Sequence, residues 1–273
     1  MRIAHLSDLH FGHHDPSLAS GLAEDVKRQS PTMVVVSGDF TQHGTRSEFE
    51  QAGEFLATLD APVLAVPGNH DVPMRNIVRR LMRPYSLYRR YISSELEPFV
   101  EVDGVAIAGI RTSRRARLEL NWAHGTISAK QLRQLAARFS KASPTATRIV
   151  VAHHPLLEPD KETAVKMQPV RQADEALEAF YELGVRAVLS GHFHLSYVRQ
   201  YGGRGSNASN AGLKNAAAAP ILVIQASSTI STRLRGEPNA YNLVDVSTGR
   251  ITATVREWRG DAWVTRAEAS AQS

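Results

Sequence analysis

Short runs of apolar residues alternate, in the first third of the chain, with stretches in which apolar residues recur every three or four positions. Such runs are typical of buried strands, and such stretches of amphipathic helices. Strands are predicted at 3–7, 33–37 and 63–66, and helices at 17–29 and 46–59 between them. This order predicts a parallel sheet with right-handed crossover connections.

The balance of elements changes along the chain. The next predicted elements are strands at 99–102, 105–111, 148–152 and 187–190 and helices at 74–94, 128–139 and 170–183. Further strands are predicted at 197–201, 221–226, 241–246 and 251–258. Helices are concentrated in the N-terminal part of the chain and strands in the C-terminal part. This order predicts an α/β fold of two packed, mixed β-sheets flanked by helices.

We expect a single domain over residues 1–273, because neither a linker nor an internal repeat divides the chain. A segment rich in Gly, Ser and Asn at 202–215 predicts a flexible loop, and residues 264–273 a frayed tail. A chain that is 42% hydrophobic and 22% charged is typical of globular proteins. No apolar run approaches the roughly 18 residues that a membrane helix needs, so no membrane partner is expected.

The chain has no cysteine, which excludes disulfides and thiolate metal sites. Its first residues lack the apolar core of a signal peptide, so a cytoplasmic location is expected. The net charge of +5 suits an anionic substrate. Arginines cluster at 75–90 and 111–117, either as a solvated face or as a phosphate-binding rim. No long basic groove is evident, so nucleic acid is not expected as a partner.

Five polar motifs directly follow predicted strands. They are Asp8-Leu9-His10, Gly38-Asp39, Gly68-Asn69-His70-Asp71, His153-His154-Pro155 and Gly191-His192-Phe193-His194. Ligands bind at the carboxyl ends of the strands in open α/β sheets, so these side chains are expected to converge. Residues two apart on an extended segment share a face, so Asp8 should point with His10, and His192 with His194. His5 lies inside the first strand and is expected to be a hydrogen-bonded core residue.

The residue types in these motifs indicate metal binding. Mixed His, Asp and Asn ligation without thiolates favours Mn, Fe or Zn. Seven candidate ligands are too many for one tetrahedral ion. Two ions that share one carboxylate account better for this number of ligands. In two-metal hydrolases such ions lie about 3.5–4 Å apart.

The ordered set D-x-H, GD, GNHD, HHP and GHxH resembles that of the calcineurin-like metallophosphoesterases. Within them, the chain looks most like the bacterial branch of class III cyclic-nucleotide and glycerophosphodiester phosphodiesterases. The resemblance implies the α/β/β/α sandwich of that superfamily. It also implies ligands for a first metal (Asp8, His10, His194), a bridging carboxylate (Asp39) and further ligands for a second metal (Asn69, His153, His192). His153 is preferred to His154 because the family ligand is the first histidine after the strand.

The same resemblance places His70 beside the metals, where it would meet the substrate phosphate or the leaving oxygen. Asp71 is the second candidate for the catalytic set, either orienting His70 or capping the loop. Two divalent ions, two aspartates and a hydroxide would leave a site charge of about +1, which matches a phosphodiester monoanion.

These observations predict hydrolysis of small anionic phosphodiesters, of cyclic-nucleotide or glycerophosphodiester type, by a metal-bound hydroxide. A phosphomonoesterase, a protein phosphatase or a nuclease of the same superfamily is the first alternative. A metal-binding scaffold without activity is the second, but it has no need of the complete motif set. The apolar C-terminal strands could also pair in a homodimer.

Overall fold

Two six-stranded β-sheets form the centre of the protein. The computed structural model describes residues 1–114, 125–159, 168–204 and 219–266. Its strands are β1 (Arg2–Leu6), β2 (Met33–Val36), β3 (Val63–Ala65), β4 (Phe99–Val102), β5 (Val105–Ile110), β6 (Thr147–Ala152), β7 (Val185–Ser190), β8 (Tyr197–Tyr201), β9 (Ile221–Gln225), β10 (Ala240–Ser247), β11 (Arg250–Trp258) and β12 (Trp263–Thr265). Its helices are α1 (Pro16–Gln29), α2 (Arg46–Ala57), α3 (Ile77–Met82), α4 (Ser86–Tyr91), α5 (Ala129–Phe139) and α6 (Ala173–Glu182).

The first sheet has the strand order β12-β11-β10-β1-β2-β3. Its strands β1, β2 and β3 are parallel, as the alternation of strands and helices predicts. The C-terminal strands β10, β11 and β12 are antiparallel and extend the sheet from the other side of β1. All four residues of β2 are buried, which is typical of a strand covered on both faces.

The second sheet has the order β4-β5-β6-β7-β9-β8. Its four central strands are parallel, and antiparallel strands β4 and β8 close its two edges. Both sheets are therefore mixed, and each keeps a parallel centre. The carboxyl ends of the parallel strands provide the binding edge in each sheet.

Alternate residues of the strands enter different apolar layers, as the pleat of a strand requires. Val35 of β2 packs between the sheets with Ile107 of β5 and Val151 of β6. Its neighbour Val36 faces the other way, towards Phe49 of α2. Helices α5 and α6 cover the outer face of the second sheet. This α/β/β/α layering confirms the predicted fold class.

The structure corrects two predicted elements. The helix predicted at 74–94 is two short helices, because Pro84 disfavours helical backbone at the residue before it. Val264 and Thr265, assigned to a frayed tail, form β12 with Trp263 and pair with β11. Most of the predicted flexible loop, and residues 267–273, lie outside the described residues. Among the described residues, no helix has both the length and the hydrophobicity needed to cross a bilayer.

Candidate metal centre

The five motifs follow β1, β2, β3, β6 and β7, and hydrogen bonds join the loops that carry them. Asp8 N donates to the Gly38 carbonyl at 3.0 Å, which links the loops after β1 and β2. Gly191 N donates to the His153 carbonyl at 2.9 Å, which links those after β7 and β6. His153 Nδ1 lies 2.8 Å from the Ser37 carbonyl and so connects the two sheets. The motifs therefore lie at one shared edge.

A first group of ligand atoms surrounds Asp8. Asp8 Oδ1 lies 3.2 Å from His194 Nε2 and 3.7 Å from His10 Nε2. The two Nε2 atoms are 3.3 Å from each other. All three side chains are buried. These are the three residues expected at the first metal.

A second group surrounds Asp39 and His153. His153 Nε2 lies 3.3 Å from Asp39 Oδ2 and 3.0 Å from Asn69 Oδ1. The His192 ring is 5.1 Å from that of His153, measured between centroids. Asp39 Oδ2 is also 3.8 Å from His10 Nε2, so this carboxylate lies between the two groups. The position corresponds to the one expected of a bridging ligand.

His154, to which the family resemblance prefers His153, also belongs to this second group. One ligand atom from each of His153, His154 and His192 lies within 4.8 Å of the other two. His154 Nδ1 is also 2.7 Å from Thr112 Oγ1, a contact that fixes the ring. The second histidine of His-His-Pro could have been considered a ligand from sequence, but only the fold turns it towards His192.

Backbone carbonyls orient three of the rings. Nδ1 faces the carbonyl of Ser37 in His153, of Arg233 in His194 and of Gln42 in His70, at 2.8, 3.0 and 2.7 Å. A carbonyl oxygen only accepts hydrogen bonds, so each Nδ1 carries the hydrogen. Each Nε2 is then the atom available for a ligand. Such outer contacts set the tautomer of metal-binding histidines in general.

The charges of the two carboxylates are stabilised by their surroundings. Burial disfavours ionisation of Asp8, but the neighbouring His194 and His10 hold its pKa well below the usual range. Asp39 is equally buried, and His153 and His70 lower its pKa. Burial disfavours the charged form of His153 in turn, yet the Asp39 carboxylate raises its pKa to about 9. Both carboxylates therefore stay ionised, and their negative charge stabilises a positive charge bound beside them.

One unsatisfied atom indicates which kind of positive charge fits. Asp8 Oδ1 is buried and accepts no hydrogen bond. A buried carboxylate oxygen without a partner is costly, and native proteins rarely retain one without a reason. The Nε2 atoms of two imidazoles lie beside the same oxygen, so a metal ion could be coordinated by all three atoms together. The mixed oxygen and nitrogen set fits Mn, Fe or Zn.

Left-handed backbone shapes these loops. Five site residues that are not glycine have positive φ, between 48° and 75°: Asp8, His10, Asp39, His192 and His194. The expectation that each D-x-H or H-x-H pair lies on an extended segment is therefore wrong. Asp8 and His10 still meet, but His192 and His194 separate into different ligand groups. Such backbone is uncommon outside glycine and clusters at functional sites.

Two motif glycines are required by close packing. A Cβ on Gly191 would overlap Ser7 Oγ and Asp8 Oδ2. A Cβ on Gly68 would overlap the carboxylate of Asp39. Each glycine therefore lets the backbone approach a ligand that another strand carries, which accounts for its presence in GHxH and in GNHD.

Asp71 does not orient His70. Asp71 Oδ2 accepts from Gly68 N at 2.8 Å, and Oδ1 accepts from Thr41 N at 3.1 Å. The ring of His70 is held instead by the Gln42 carbonyl. Burial and the charge of Asp39 raise the pKa of Asp71 to about 7. These contacts are those of the loop cap that the sequence analysis gives as one alternative, whereas a catalytic role of Asp71 stays a prediction.

The arginine clusters have mixed roles. Arg80 donates to the Pro73 carbonyl at 3.2 Å, Arg111 to Tyr85 Oη at 3.2 Å and Arg114 to the Thr126 carbonyl at 3.3 Å. These three therefore support the chain itself. Arg75, Arg79, Arg83, Arg89 and Arg90 are exposed, whereas Arg115 and Arg117 lie outside the described residues.

Arg233 is a residue at the rim of the site that no sequence motif predicts. Its carbonyl holds His194, and its Nη1 donates to Gln42 Oε1 at 3.3 Å. Gln42 in turn fixes the ring of His70, so Arg233 links the two sides of the site. No motif surrounds it in the sequence. Its position in the loop after a strand was the only available signal.

Comparison with known proteins agrees with this geometry. The calcineurin-like phosphoesterase family matches residues 1–196. A probable cyclic nucleotide phosphodiesterase from Synechococcus sp. is 27% identical over 218 residues, which cover 75% of this chain and 76% of the relative. A glycerophosphodiester phosphodiesterase from Enterobacter lignolyticus is 38% identical over 82 residues, 26% of this chain and 30% of the relative.

Solved structures share the architecture. A dimetal phosphatase from Danio rerio superposes with a TM-score of 0.63 at 14% identity, covering 97% of this chain and 98% of that one. A purple acid phosphatase from yellow lupin gives a TM-score of 0.62 at 11% identity, covering 97% of this chain and 52% of that one. At these identities the likeness shows the fold alone.

Proposed function

The chain belongs to the calcineurin-like phosphoesterase family and is a phosphoester hydrolase, and we propose that it cleaves small phosphodiesters with two bound metal ions. The observation that carries the proposal is the buried, unsatisfied Asp8 Oδ1 facing His10 and His194. It lies beside a second group of donors around Asp39 and His153.

The proposed ligands follow these two groups. Asp8, His10 and His194 would hold one ion, and Asn69, His153 and His192 the other. Asp39 would serve both, since its Oδ2 lies between His10 and His153. When bound, divalent ions supply a nucleophile from water near neutral pH and neutralise phosphate charge. We propose Mn, Fe or Zn, with His154 a candidate for a further ligand at the second position.

His70 is the proposed proton donor to the leaving oxygen. Its side chain is partly exposed, and its Nδ1–H bond to Gln42 leaves Nε2 for substrate. A ring nitrogen of His70 lies within 4.8 Å of ligand atoms of His10 and Asp39, so the His70 ring borders the proposed metal ligands. Proton transfer by such a side chain typically contributes about 10²–10⁴-fold in rate.

The sequence relatives favour diesters over monoesters. The sequence relatives are named as diesterases of cyclic nucleotides and of glycerophosphodiesters. A proton donor such as His70 helps most when the leaving group is a basic alkoxide, which these diesters carry, although alkyl monoesters carry it too. Arg233 at the rim would bind a remaining polar part of the substrate, since guanidinium suits phosphate and flat bases. The charge count is compatible with this, because two divalent ions with two aspartates and a hydroxide leave about +1, which neutralises a monoanion, although it would not repel a dianion.

A side-by-side assay with bis(p-nitrophenyl) phosphate and p-nitrophenyl phosphate in Mn²⁺ tests the proposal. We expect the diester to be favoured by at least about tenfold in kcat/KM, or about 1.4 kcal/mol. Activity should disappear on chelation and return with Mn²⁺. A faster monoester would replace the proposal with a phosphatase function, and full activity in metal-free protein would exclude the metal site.

The same assay with His70→Ala tests the proton donor. We expect metal content to stay near that of the wild type, since His70 is not among the proposed ligands. Turnover should fall more for an alkyl diester than for the nitrophenyl diester, whose leaving group needs no proton. A loss of bound metal would show that His70 is a ligand instead.

A further inference from the structure

Large exposed apolar side chains are concentrated in one segment. Among the described residues, five of the six lie between positions 74 and 82: Met74, Ile77, Val78, Leu81 and Met82. Val78 and Met82 are 73% and 76% exposed. Surface apolar residues are normally scattered, and a cluster of them marks an interaction site. We name residues 74–83 the α3 surface.

Helix α3 has its apolar face turned outwards. Ile77, Val78, Leu81 and Met82 follow the i, i+1, i+4, i+5 spacing that places them on one side of a helix. All four are exposed, while Arg80 is buried and donates to the Pro73 carbonyl at 3.2 Å. A surface helix normally does the opposite and buries its apolar stripe. The outward face is thus available to a partner.

The charge of this region indicates what kind of partner. Residues 72–94 contain six arginines and no aspartate or glutamate. Arg75, Arg79 and Arg83, which interleave with the apolar residues, are exposed. An exposed apolar face surrounded by arginines is the composition that binds anionic lipid, because the apolar groups enter the interface and the cations meet phosphates.

The α3 surface is continuous with the mouth of the metal centre. Met74 lies shortly after the Gly68–Asp71 motif in the sequence. Its backbone N–H donates to the His43 carbonyl at 3.0 Å. The neighbouring Gln42 accepts from Arg233, and Leu234, the sixth exposed apolar residue, follows Arg233. Residues 42–43 therefore join the α3 surface to a second exposed Arg-Leu-Arg segment at 233–235.

We propose that the α3 surface docks on an anionic phospholipid bilayer. A second copy of the chain fits less well, because two surfaces rich in arginine and free of acidic residues repel each other. Nucleic acid would leave the apolar face in water. This proposal departs from the sequence-based expectation of no membrane partner, which rested only on the lack of a membrane-spanning run. The proposal does not depend on the proposed phosphodiesterase activity.

Co-sedimentation of the full chain with vesicles tests this. We expect binding to phosphatidylglycerol/phosphatidylcholine vesicles, little binding to phosphatidylcholine alone, and weaker binding at high salt. Val78→Ser with Met82→Ser should lower the partition coefficient by at least about tenfold, since both apolar groups leave the interface. Arg75→Glu with Arg79→Glu should lower it at least as much, because one arginine near such a surface is worth about fivefold.

Lys130→Glu with Arg133→Glu is the matched control. Both residues are exposed and lie on α5, which covers the second sheet. Replacing them with glutamate changes the net charge by the same amount as the Arg75/Arg79 variant. Binding that stays within twofold of wild type is expected for this control. A control that fell as far as Arg75→Glu with Arg79→Glu would show attraction by net charge alone and overturn the proposal.

Three further results would overturn it. The first is the absence of wild-type binding to the anionic vesicles. The second is a lower Tm of the Val78/Met82 variant, which would show that the chain itself covers the face. The third is a concentration-dependent dimer that this variant abolishes. Hydrolysis of bis(p-nitrophenyl) phosphate without vesicles is read separately: its absence in wild type would refute the proposed function and leave vesicle binding standing.

Discussion

Two buried aspartates of the first sheet and its helices have opposite surroundings. Asp25 on α1 and Asp8 after β1 are both fully buried. Asp25 accepts from Tyr241 Oη at 2.6 Å and from Arg256 at 2.7 and 3.1 Å, so both its oxygens are satisfied within the fold. Asp8 Oδ2 accepts from Ser7 and His192 N, but Oδ1 accepts no hydrogen bond.

The difference separates a structural charge from a binding charge. A buried charge that is fully paired by the chain contributes to a fixed structure, and a ligand has nothing to add to it. A buried carboxylate that has one oxygen without a hydrogen bond, close to imidazole nitrogens, has an open coordination position that a cation can fill. Burial alone therefore says little about function. The unsatisfied atom carries the information.

The largest expected effect concerns the structural aspartate. Asp25→Ala leaves the guanidinium of Arg256, whose side chain is only 13% exposed, without its carboxylate, so we expect the free energy of unfolding to fall by about 3–5 kcal/mol. Urea unfolding measures this, and activity per folded molecule should not change. Arg28→Ala is the control: its side chain is 60% exposed, so its pair with Asp25 should contribute at most about 1 kcal/mol. Wild-type stability of Asp25→Ala would show that Asp25 has no structural role, and would contradict the distinction between Asp25 and Asp8.

The second expected effect concerns the proposed bridging ligand. Altering an outer partner of a metal site already costs about 10–100-fold, so Asp39→Asn should lower kcat/KM by at least about 100-fold, or about 2.7 kcal/mol. Asp8→Asn should be less damaging, because Asp8 would serve one ion and Asp39 two. Elemental analysis gives the metal content of each variant. Wild-type metal content in Asp39→Asn would contradict the bridging role.

The smallest effect extends the contrast to histidines. His5, predicted as a hydrogen-bonded core residue, is buried with Nε2 2.9 Å from Ser37 Oγ. Burial lowers the pKa of His5 to about 3. The unfolded chain, with a histidine pKa near 6.5, therefore binds a proton that the folded chain refuses. Stability is retained above pH 6.5 and decreases as the pH falls towards 3, by about 2 kcal/mol at pH 5.

His5→Gln removes this titration, so its stability should fall less steeply between pH 6.5 and 5 than that of the wild type. Chemical unfolding at several pH values gives the two slopes. His13→Gln is the control, because His13 is exposed. Parallel slopes for wild type and His5→Gln would show that His5 is not the residue responsible.

Much of the fold could be predicted because its determinants are local. The pattern at 33–37 gives a strand that ends one residue earlier in the structure, and α2 begins at Arg46 as predicted because Thr45 and Glu48 form a capping box. The split at Pro84 was also readable from sequence. Strand β12 was not, since three residues form a strand only where β11 offers a partner edge.

The sequence alone determined that the five motifs meet at one edge, because parallel strands present their carboxyl ends there and every motif follows such a strand. Only the tertiary structure decided how their residues divide. Left-handed backbone sends His192 and His194 to different groups, and the fold brings His154 and Arg233 to the site and holds Asp71 as a cap of its loop. It also turned the apolar face of α3 outwards, against its own pattern. These features depend on contacts between residues far apart in the chain, which a local sequence pattern does not encode.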